Sequence, residues 1–142
     1  MKNFRDLSYE DLYAWVGQKT FTKGKSYQKN KRVISVFQVS EHIICGSVHG
    51  SETYDTVVSV SDTLTSTCSC PVESDCKHGV ALVLEYLNRI KQEIAISKPP
   101  DDEHIKNIMK RFNNNIIKLS DFNNIKNYQD YKILLVDGMG FL

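Results

Sequence analysis

Three cysteines and one histidine lie close together in the middle of the chain and have the residue types of a metal site. Cys68 and Cys70 are separated by one residue, and Cys76 and His78 follow with the same spacing. Structural zinc sites use four thiolate or imidazole ligands in a tetrahedron, which is the set that these residues supply. The sequence therefore predicts one structural Zn²⁺ per chain, bound by Cys68, Cys70, Cys76 and His78.

A site filled by four protein ligands leaves no open position for water or substrate, which predicts a structural zinc rather than an enzyme. We therefore expect no small-molecule substrate. Thioredoxin-like chemistry would favour a Cys-x-x-Cys pair beside a βαβ unit. A zinc deaminase would need His-x-Glu and Pro-Cys-x-x-Cys. Neither pattern is present in the sequence.

The remaining cysteine and histidines are interpreted as residues outside the metal site. Cys45 lies in an apolar, strand-like run, where a single cysteine is usually a small buried hydrophobe; a role as spare ligand stays open. His42, His49 and His104 are expected at the surface. His49, which is expected in a turn next to Gly50, is the one that could replace a ligand.

The elements that must position these ligands follow from apolar spacing and capping signals. Ser8-x-x-Asp11 has the form of a capping box and predicts a helix that ends at Gly17. Further helices are expected from Thr20 to about Asn30 and over Val80–Ile90. Short connections between runs rich in Val, Ile and Thr predict antiparallel strands at Val33–Val39, His42–Val48, Thr53–Val60 and Leu64–Cys70. The expected fold is α+β, a small antiparallel sheet with flanking helices and a ββα-like zinc knuckle.

Two regions are expected along the 142 residues. Residues 1–96 form the zinc module with its N-terminal helices. Residues 97–142 form a helical extension without an assigned role, with one helix over Asp101–Phe112 and weaker signals over Ser120–Asp130. The apolar end of the sequence leaves open that the chain is the truncated start of something longer.

The arrangement Cys-x-Cys followed by Cys-x-His resembles the SWIM-type zinc finger, which is named for Swi/Snf-type ATPases and transposases of the mutator class. The likeness covers residues 20–90 and includes Phe21-x-Lys-Gly-x-x-Tyr27, Cys-Ser-Cys-Pro and Cys-Lys-His before an apolar helix. It is similar to the bacterial and archaeal form, which often precedes a helicase-like ATPase. The resemblance implies a ββα zinc core that binds DNA or protein. The chain itself has no Gly-x-x-x-x-Gly-Lys-[Ser/Thr] phosphate-binding loop.

Charge is distributed unevenly around the predicted zinc site. Residues 19–32 carry six basic side chains and no acid, whereas residues 33–75 carry six acids and no Lys or Arg. One interpretation is a phosphate-binding surface with weak sequence specificity; the other is a solvated helix face that balances the acidic sheet. The residues of the nucleic-acid hypothesis are Lys19, Lys23, Lys25, Lys29, Lys31, Arg32 and Lys77.

The functional prediction is a structural zinc module that binds DNA or protein, within a helicase-like or chromatin-remodeller-like assembly. One alternative is a protein-only adaptor that docks onto a separate helicase-like ATPase. A second is a zinc–thiolate redox sensor. The first residues contain no signal-peptide pattern and no stretch reaches the roughly 20 apolar residues of a membrane span. We therefore expect a cytoplasmic protein that does not bind a membrane.

Overall fold

The computed structural model describes residues 3–99 and residue 110, and its described part contains three α-helices and a four-stranded sheet. The helices are α1 (Tyr9–Val16), α2 (Gln18–Lys29) and α3 (Lys77–Lys91). The strands are β1 (Val33–Ser40), β2 (Ile43–His49), β3 (Thr53–Val60) and β4 (Leu64–Cys68). They form one antiparallel sheet in the order β1-β2-β3-β4. The predicted α+β fold is confirmed. No helix of the described part is long and apolar enough to cross a membrane.

The two N-terminal helices meet at a single glycine. Ser8 and Asp11 form the predicted capping box, in which each side chain accepts a hydrogen bond from the other's backbone N–H. Gly17, with a φ of 85°, both ends α1 and precedes the first residue of α2. This positive φ suits glycine, which has no Cβ to clash. The prediction that Thr20 caps the second helix is wrong, because α2 begins at Gln18 without an intervening loop.

Helix α3 lies against the sheet and forms the centre of the hydrophobic core. Its apolar face includes Val80, Val83 and Leu84, which pack with Ile44 and Val48 of β2 in one buried cluster. The helix begins at Lys77, three residues before the predicted start at Val80. The early start places the last predicted ligand inside the first turn of the helix.

Helix α2 crosses α3 closely because Gly24 lies at the contact. A Cβ added at Gly24 would lie 2.5 Å from the Val80 Cβ and 2.9 Å from the Lys77 carbonyl oxygen. The absence of a side chain at Gly24 therefore allows α2 to rest on the first turns of α3. Through this contact, the basic helix is held against the part of α3 that follows the predicted ligands.

Two predicted regions lie outside the described residues. These are the helix over Asp101–Phe112, except for Lys110, and the weaker helix over Ser120–Asp130. The boundary between residues 96 and 97 stays a prediction.

The glycine contact yields a stability prediction. Gly24→Ala gains about 1 kcal/mol of helix propensity, but the new methyl group overlaps atoms fixed to the α3 backbone. Overpacking of this kind costs roughly 1–3 kcal/mol or more, so we expect the free energy of unfolding to fall. Urea unfolding at fixed zinc concentration measures the change. Thr22→Ala, on the exposed face of the same helix, is the control; an equal gain in both variants would contradict the close crossing.

Candidate metal centre

The first two predicted ligands lie where β4 ends and the chain turns. Cys68 is the last residue of β4, and Cys70 follows outside the strand. The Glu73 N–H donates to the Cys70 carbonyl oxygen (3.0 Å), and the Cys68 N–H donates to the Glu73 carbonyl oxygen (2.7 Å). The predicted extension of the strand to Cys70 is therefore wrong, because this turn takes the backbone out of the sheet.

Asp75 fixes the returning segment to two other elements. Its N–H donates to Ser66 Oγ (2.9 Å), and its Oδ1 accepts from the Ser66 N–H (3.1 Å), which ties the segment to β4. The same Oδ1 accepts from Trp15 Nε1 of α1 at 2.9 Å. Asp75 also has a φ of 49°, in the left-handed region. The turn is thus held by β4 on one side and α1 on the other.

The last two predicted ligands lie at the start of α3. Cys76 is the N-cap, with extended backbone angles, and His78 is the second helical residue. The Gly79 N–H hydrogen-bonds Cys76 and favours its thiolate form. The position of Cys76 at the N-terminus of α3 agrees with the general preference of helix N-termini for negatively charged groups.

These elements bring the four side chains into one buried cluster. The three Sγ atoms and one imidazole nitrogen lie within 4.8 Å of one another. Each residue is at most 3% exposed. His78 Nδ1 is 3.6 Å from Cys68 Sγ and 3.5 Å from Cys76 Sγ. In a tetrahedron with Zn–S of ~2.3 Å and Zn–N of ~2.0–2.1 Å, the sulfur–nitrogen separation is about 3.5–3.6 Å. The donor set therefore fits a zinc ion.

The orientation of the imidazole is fixed by two tyrosines. The ring centroid of His78 is 4.7 Å from that of Tyr54 and 5.4 Å from that of Tyr27, which meets it edge-on. Nδ1 faces the sulfurs, whereas Nε2 is buried without a hydrogen-bond partner among the described residues. A metal on Nδ1 leaves the proton on Nε2, so the orientation is compatible with a neutral imidazole ligand.

The thiols of Cys68 and Cys76 are close enough to share a proton. A hydrogen bond from Cys68 lowers the pKa of Cys76 to about 4; burial opposes this effect and His78 adds to it. The same bond, with burial, raises the pKa of Cys68. Thiols bind metals as thiolates, and several thiolates in one buried site require a compensating cation. The electrostatics of the cluster therefore favour a bound cation.

The other candidate ligands lie away from the cluster. Cys45 is fully buried on β2, as predicted for a small hydrophobe. Burial, with a smaller contribution from Asp55, raises the pKa of the Cys45 thiol to about 12. His49 is exposed at the end of β2 and is not part of the metal-ligand cluster found in the described residues. His42 is half-buried rather than fully exposed.

The predicted basic residues divide into two groups. The side chains of Lys19, Lys23, Lys29 and Lys31 are exposed. The others lie over aromatic rings: Lys25 Nζ is 5.2 Å from the Tyr9 ring centroid, while Lys77 Nζ and Arg32 Cζ are 5.2 and 5.3 Å from that of Tyr27. Arg32 Nη1 also donates to the His49 carbonyl oxygen at 3.4 Å.

Three residues that support the cluster are absent from the predicted site residues. The indole of Trp15, on α1, donates to the Asp75 carboxylate. The ring of Tyr54, on β3, packs on the imidazole of His78. Thr56 Oγ1 lies 3.2 Å from Cys68 Sγ and is fully buried. Each contact joins residues that are distant in sequence, so local patterns could not reveal it.

The contact between Trp15 and the turn makes the fluorescence of Trp15 a reporter of the metal centre. Trp15 is the one tryptophan of the chain, and metal loss frees the turn that carries Asp75. We expect the emission to shift to longer wavelength in step with zinc release during chelator titration. Asp75→Ala shifts the emission of the zinc-loaded protein, whereas Glu41→Ala, at an exposed turn, does not. Zinc release without an emission change would refute the coupling.

Comparison with known protein families finds a match that contains all four candidate ligands. The family model of the SWIM zinc finger matches residues 54–87, which run from β3 to near the end of α3. This range is shorter than the predicted likeness over residues 20–90, so α2 and the first two strands lie outside the match. No curated protein and no solved structure gives a significant match. The four clustered donors and the family match agree on one structural Zn²⁺, and residues 54–87 are the part of this chain that is similar to a SWIM zinc finger.

Proposed function

We propose that this chain is a non-catalytic binding module. Cys68, Cys70, Cys76 and His78 hold its structural zinc ion, and the exposed lysine face of α2 contacts nucleic-acid phosphates. The observation that carries the proposal is the attachment of an exposed basic face of α2 to the first turns of α3, next to the proposed zinc ligands. SWIM zinc fingers are in general binding modules rather than enzymes.

The zinc ligands support a structural role. Three thiolates and one imidazole complete a tetrahedral shell, so the metal has no position for a substrate. All four residues are almost entirely buried, which keeps reagents away from the sulfurs. Cysteines that sense oxidants are generally accessible. The burial therefore favours a structural zinc over a redox sensor.

The lysine face of α2 consists of side chains that share one side of the helix and are exposed to solvent. They are Lys19, Thr22, Lys23, Ser26 and Lys29. With 3.6 residues per turn, these positions span about 120° of the helix circumference. The opposite side carries Phe21 and Gly24, which are buried. The face thus combines three positive charges with two hydroxyl groups, a composition suited to phosphate oxygens.

The lysines of this face are available to a partner. Lys19, Lys23 and Lys29 take part in no ion pair among residues 3–99. Lys77 and Arg32, which lie over Tyr27, extend the positive surface toward the zinc site. Charge that is not neutralised within the fold attracts polyanions. This favours a binding surface over simple balancing of the acidic sheet.

The types of basic side chain in this segment limit how well it could recognise a particular DNA sequence. Base recognition in the major groove relies mainly on bidentate groups such as arginine. The single arginine of the basic segment is already engaged with Tyr27 and the His49 carbonyl. Lysines act as mobile point charges on phosphates. We therefore infer weak sequence specificity. The competing partner is an acidic protein surface, for example on a helicase-like ATPase, and the experiments must distinguish it from DNA.

Metal analysis tests the ligand set. The purified protein should contain one zinc per chain, and X-ray absorption should show three sulfurs at ~2.3 Å and one nitrogen at ~2.0 Å. Cys70→Ser and His78→Ala should lose most of the metal and lower the thermal midpoint, because zinc binding contributes directly to folding.

Cys45→Ala is the matched control for metal loss, since Cys45 is buried outside the cluster. It should keep a full equivalent of zinc even if its stability falls. A four-sulfur shell, or zinc loss in Cys45→Ala alone, would overturn the ligand assignment.

Salt-dependent binding tests the lysine face. Affinity for random-sequence DNA should fall with salt, with log K changing by ~0.9 per log unit of salt for each phosphate neutralised on a duplex. Replacing Lys19, Lys23 and Lys29 together by Gln should reduce this slope by roughly two to three units. The loss should be similar across unrelated sequences, and fluorescence anisotropy at several salt concentrations measures it.

A charge-matched variant distinguishes a local contact from a general effect of net charge. Arg5→Gln, Lys91→Gln and Lys98→Gln together remove the same charge from exposed positions outside α2. This variant should keep the wild-type slope. If the wild type and both variants bind DNA equally weakly, the DNA proposal fails and an acidic protein partner becomes the better explanation.

A further inference from the structure

A buried threonine lies directly against one of the proposed zinc ligands. Thr56 is on β3, opposite Cys68 of β4 in the antiparallel register. Its side chain is fully buried, and its Oγ1 lies 3.2 Å from Cys68 Sγ. The two backbones are joined by the sheet, so the distance between these atoms does not depend on the turn that carries the other ligands.

The residue type at this position is informative. The next two residues of β3, Val57 and Val58, are also fully buried. Valine has nearly the same shape as threonine and would fill the site without a hydroxyl group. Burying a hydroxyl costs free energy unless it forms a hydrogen bond. The sulfur of Cys68 is the hydrogen-bond partner that the described residues offer to this hydroxyl.

The direction of the hydrogen bond follows from the chemistry of the ligand. A cysteine bound to zinc is a thiolate and has no proton to donate. The Thr56 hydroxyl must then donate and the sulfur must accept. Hydrogen bonds to charged acceptors are stronger than neutral ones. Such outer contacts orient metal ligands and adjust their electron density.

We propose that Thr56 is a positioning residue of the zinc site, whose hydroxyl donates to Cys68 Sγ, orients this thiolate and withdraws charge from it. The inference rests on the proposed ligand set, because it requires that Cys68 binds the metal. It adds a residue that neither the ligand spacing nor the family match identifies. Thr56 acts through Cys68 and does not touch the metal.

Two substitutions of Thr56 distinguish the effect of its hydroxyl group from the effect of its side-chain shape. Thr56→Val removes the hydroxyl and keeps the volume, and Thr56→Ser keeps the hydroxyl. Thr67→Val is the matched control: Thr67 is a buried threonine on β4 whose hydroxyl donates to the Glu73 carbonyl oxygen at 3.3 Å.

The experiment measures Zn²⁺ affinity by chelator competition and the absorption spectrum of the Co²⁺-substituted protein. Thr56→Val should bind zinc about 10–100-fold more weakly. Its sulfur-to-cobalt charge-transfer band should move to lower energy, because a thiolate without the hydrogen bond is a better electron donor. Thr56→Ser should restore both properties. Thr67→Val should leave the band unchanged, although its stability falls.

The outcomes separate this inference from the proposed function. Wild-type binding of zinc and cobalt tests the ligand set. If the wild type binds both metals and Thr56→Val matches it in affinity and spectrum, the positioning role is overturned while the zinc module stands. Equal metal loss in Thr56→Val and Thr56→Ser, with no spectral shift in either, would assign Thr56 to packing and also overturn the inference. Absence of metal from the wild type would overturn the proposed ligand set and, with it, the role of Thr56.

Discussion

The close packing of three thiols and one imidazole inside the protein is the constraint on which the rest of the structure depends. Their donor atoms lie within 4.8 Å of one another and are shielded from water. Thiolates in such surroundings repel one another and lose their hydration, so a cation must compensate them. The end of β4, the turn after it and the start of α3 are arranged so that their side chains converge on one point.

The metal centre also contacts α1 and α2, which lie outside residues 54–87, the range matched by the SWIM family model. Trp15 of α1 hydrogen-bonds Asp75 in the turn, and Tyr27 of α2 packs edge-on against His78. Gly24 allows α2 to rest on Val80 of α3. The N-terminal helices are therefore attached to the zinc knuckle by a hydrogen bond, a ring contact and a close backbone approach. Loss of the metal is expected to loosen all three contacts, since each depends on the position of the knuckle.

This attachment gives the basic segment a defined orientation. A helix of twelve residues with lysines on its exposed side would be only marginally stable alone. Packing against α3 fixes it and turns Lys19, Lys23 and Lys29 toward solvent. These three lysines form no ion pair among residues 3–99. The separation of charge along the sequence thus becomes a positive surface beside the zinc site, which is the physical basis for the proposed contact with phosphates.

The sequence by itself determined the features that depend on local chemistry. The ligand types and their spacing indicated zinc, the Ser8–Asp11 pair indicated the first helix, and runs rich in Val, Ile and Thr with short connections indicated four strands. Boundaries were less certain: α2 and α3 begin earlier than predicted, and β4 ends two residues before Cys70. The end of β4 is set by the turn in which the Cys68 N–H donates to the Glu73 carbonyl oxygen, and α2 begins directly after Gly17 because the positive φ of this glycine turns the chain there.

Only the tertiary structure decided which side chains support the site and which lysines face solvent. Thr56 meets Cys68 because two strands pair in one register, and a shift by one residue would turn it to the other face. The sequence grouped Lys25 and Lys77 with the other candidate phosphate-binding residues, but in the structure both side chains lie over tyrosine rings. A sequence specifies which residues are present and their local periodicity, whereas contacts across long separations arise only when helices and strands pack.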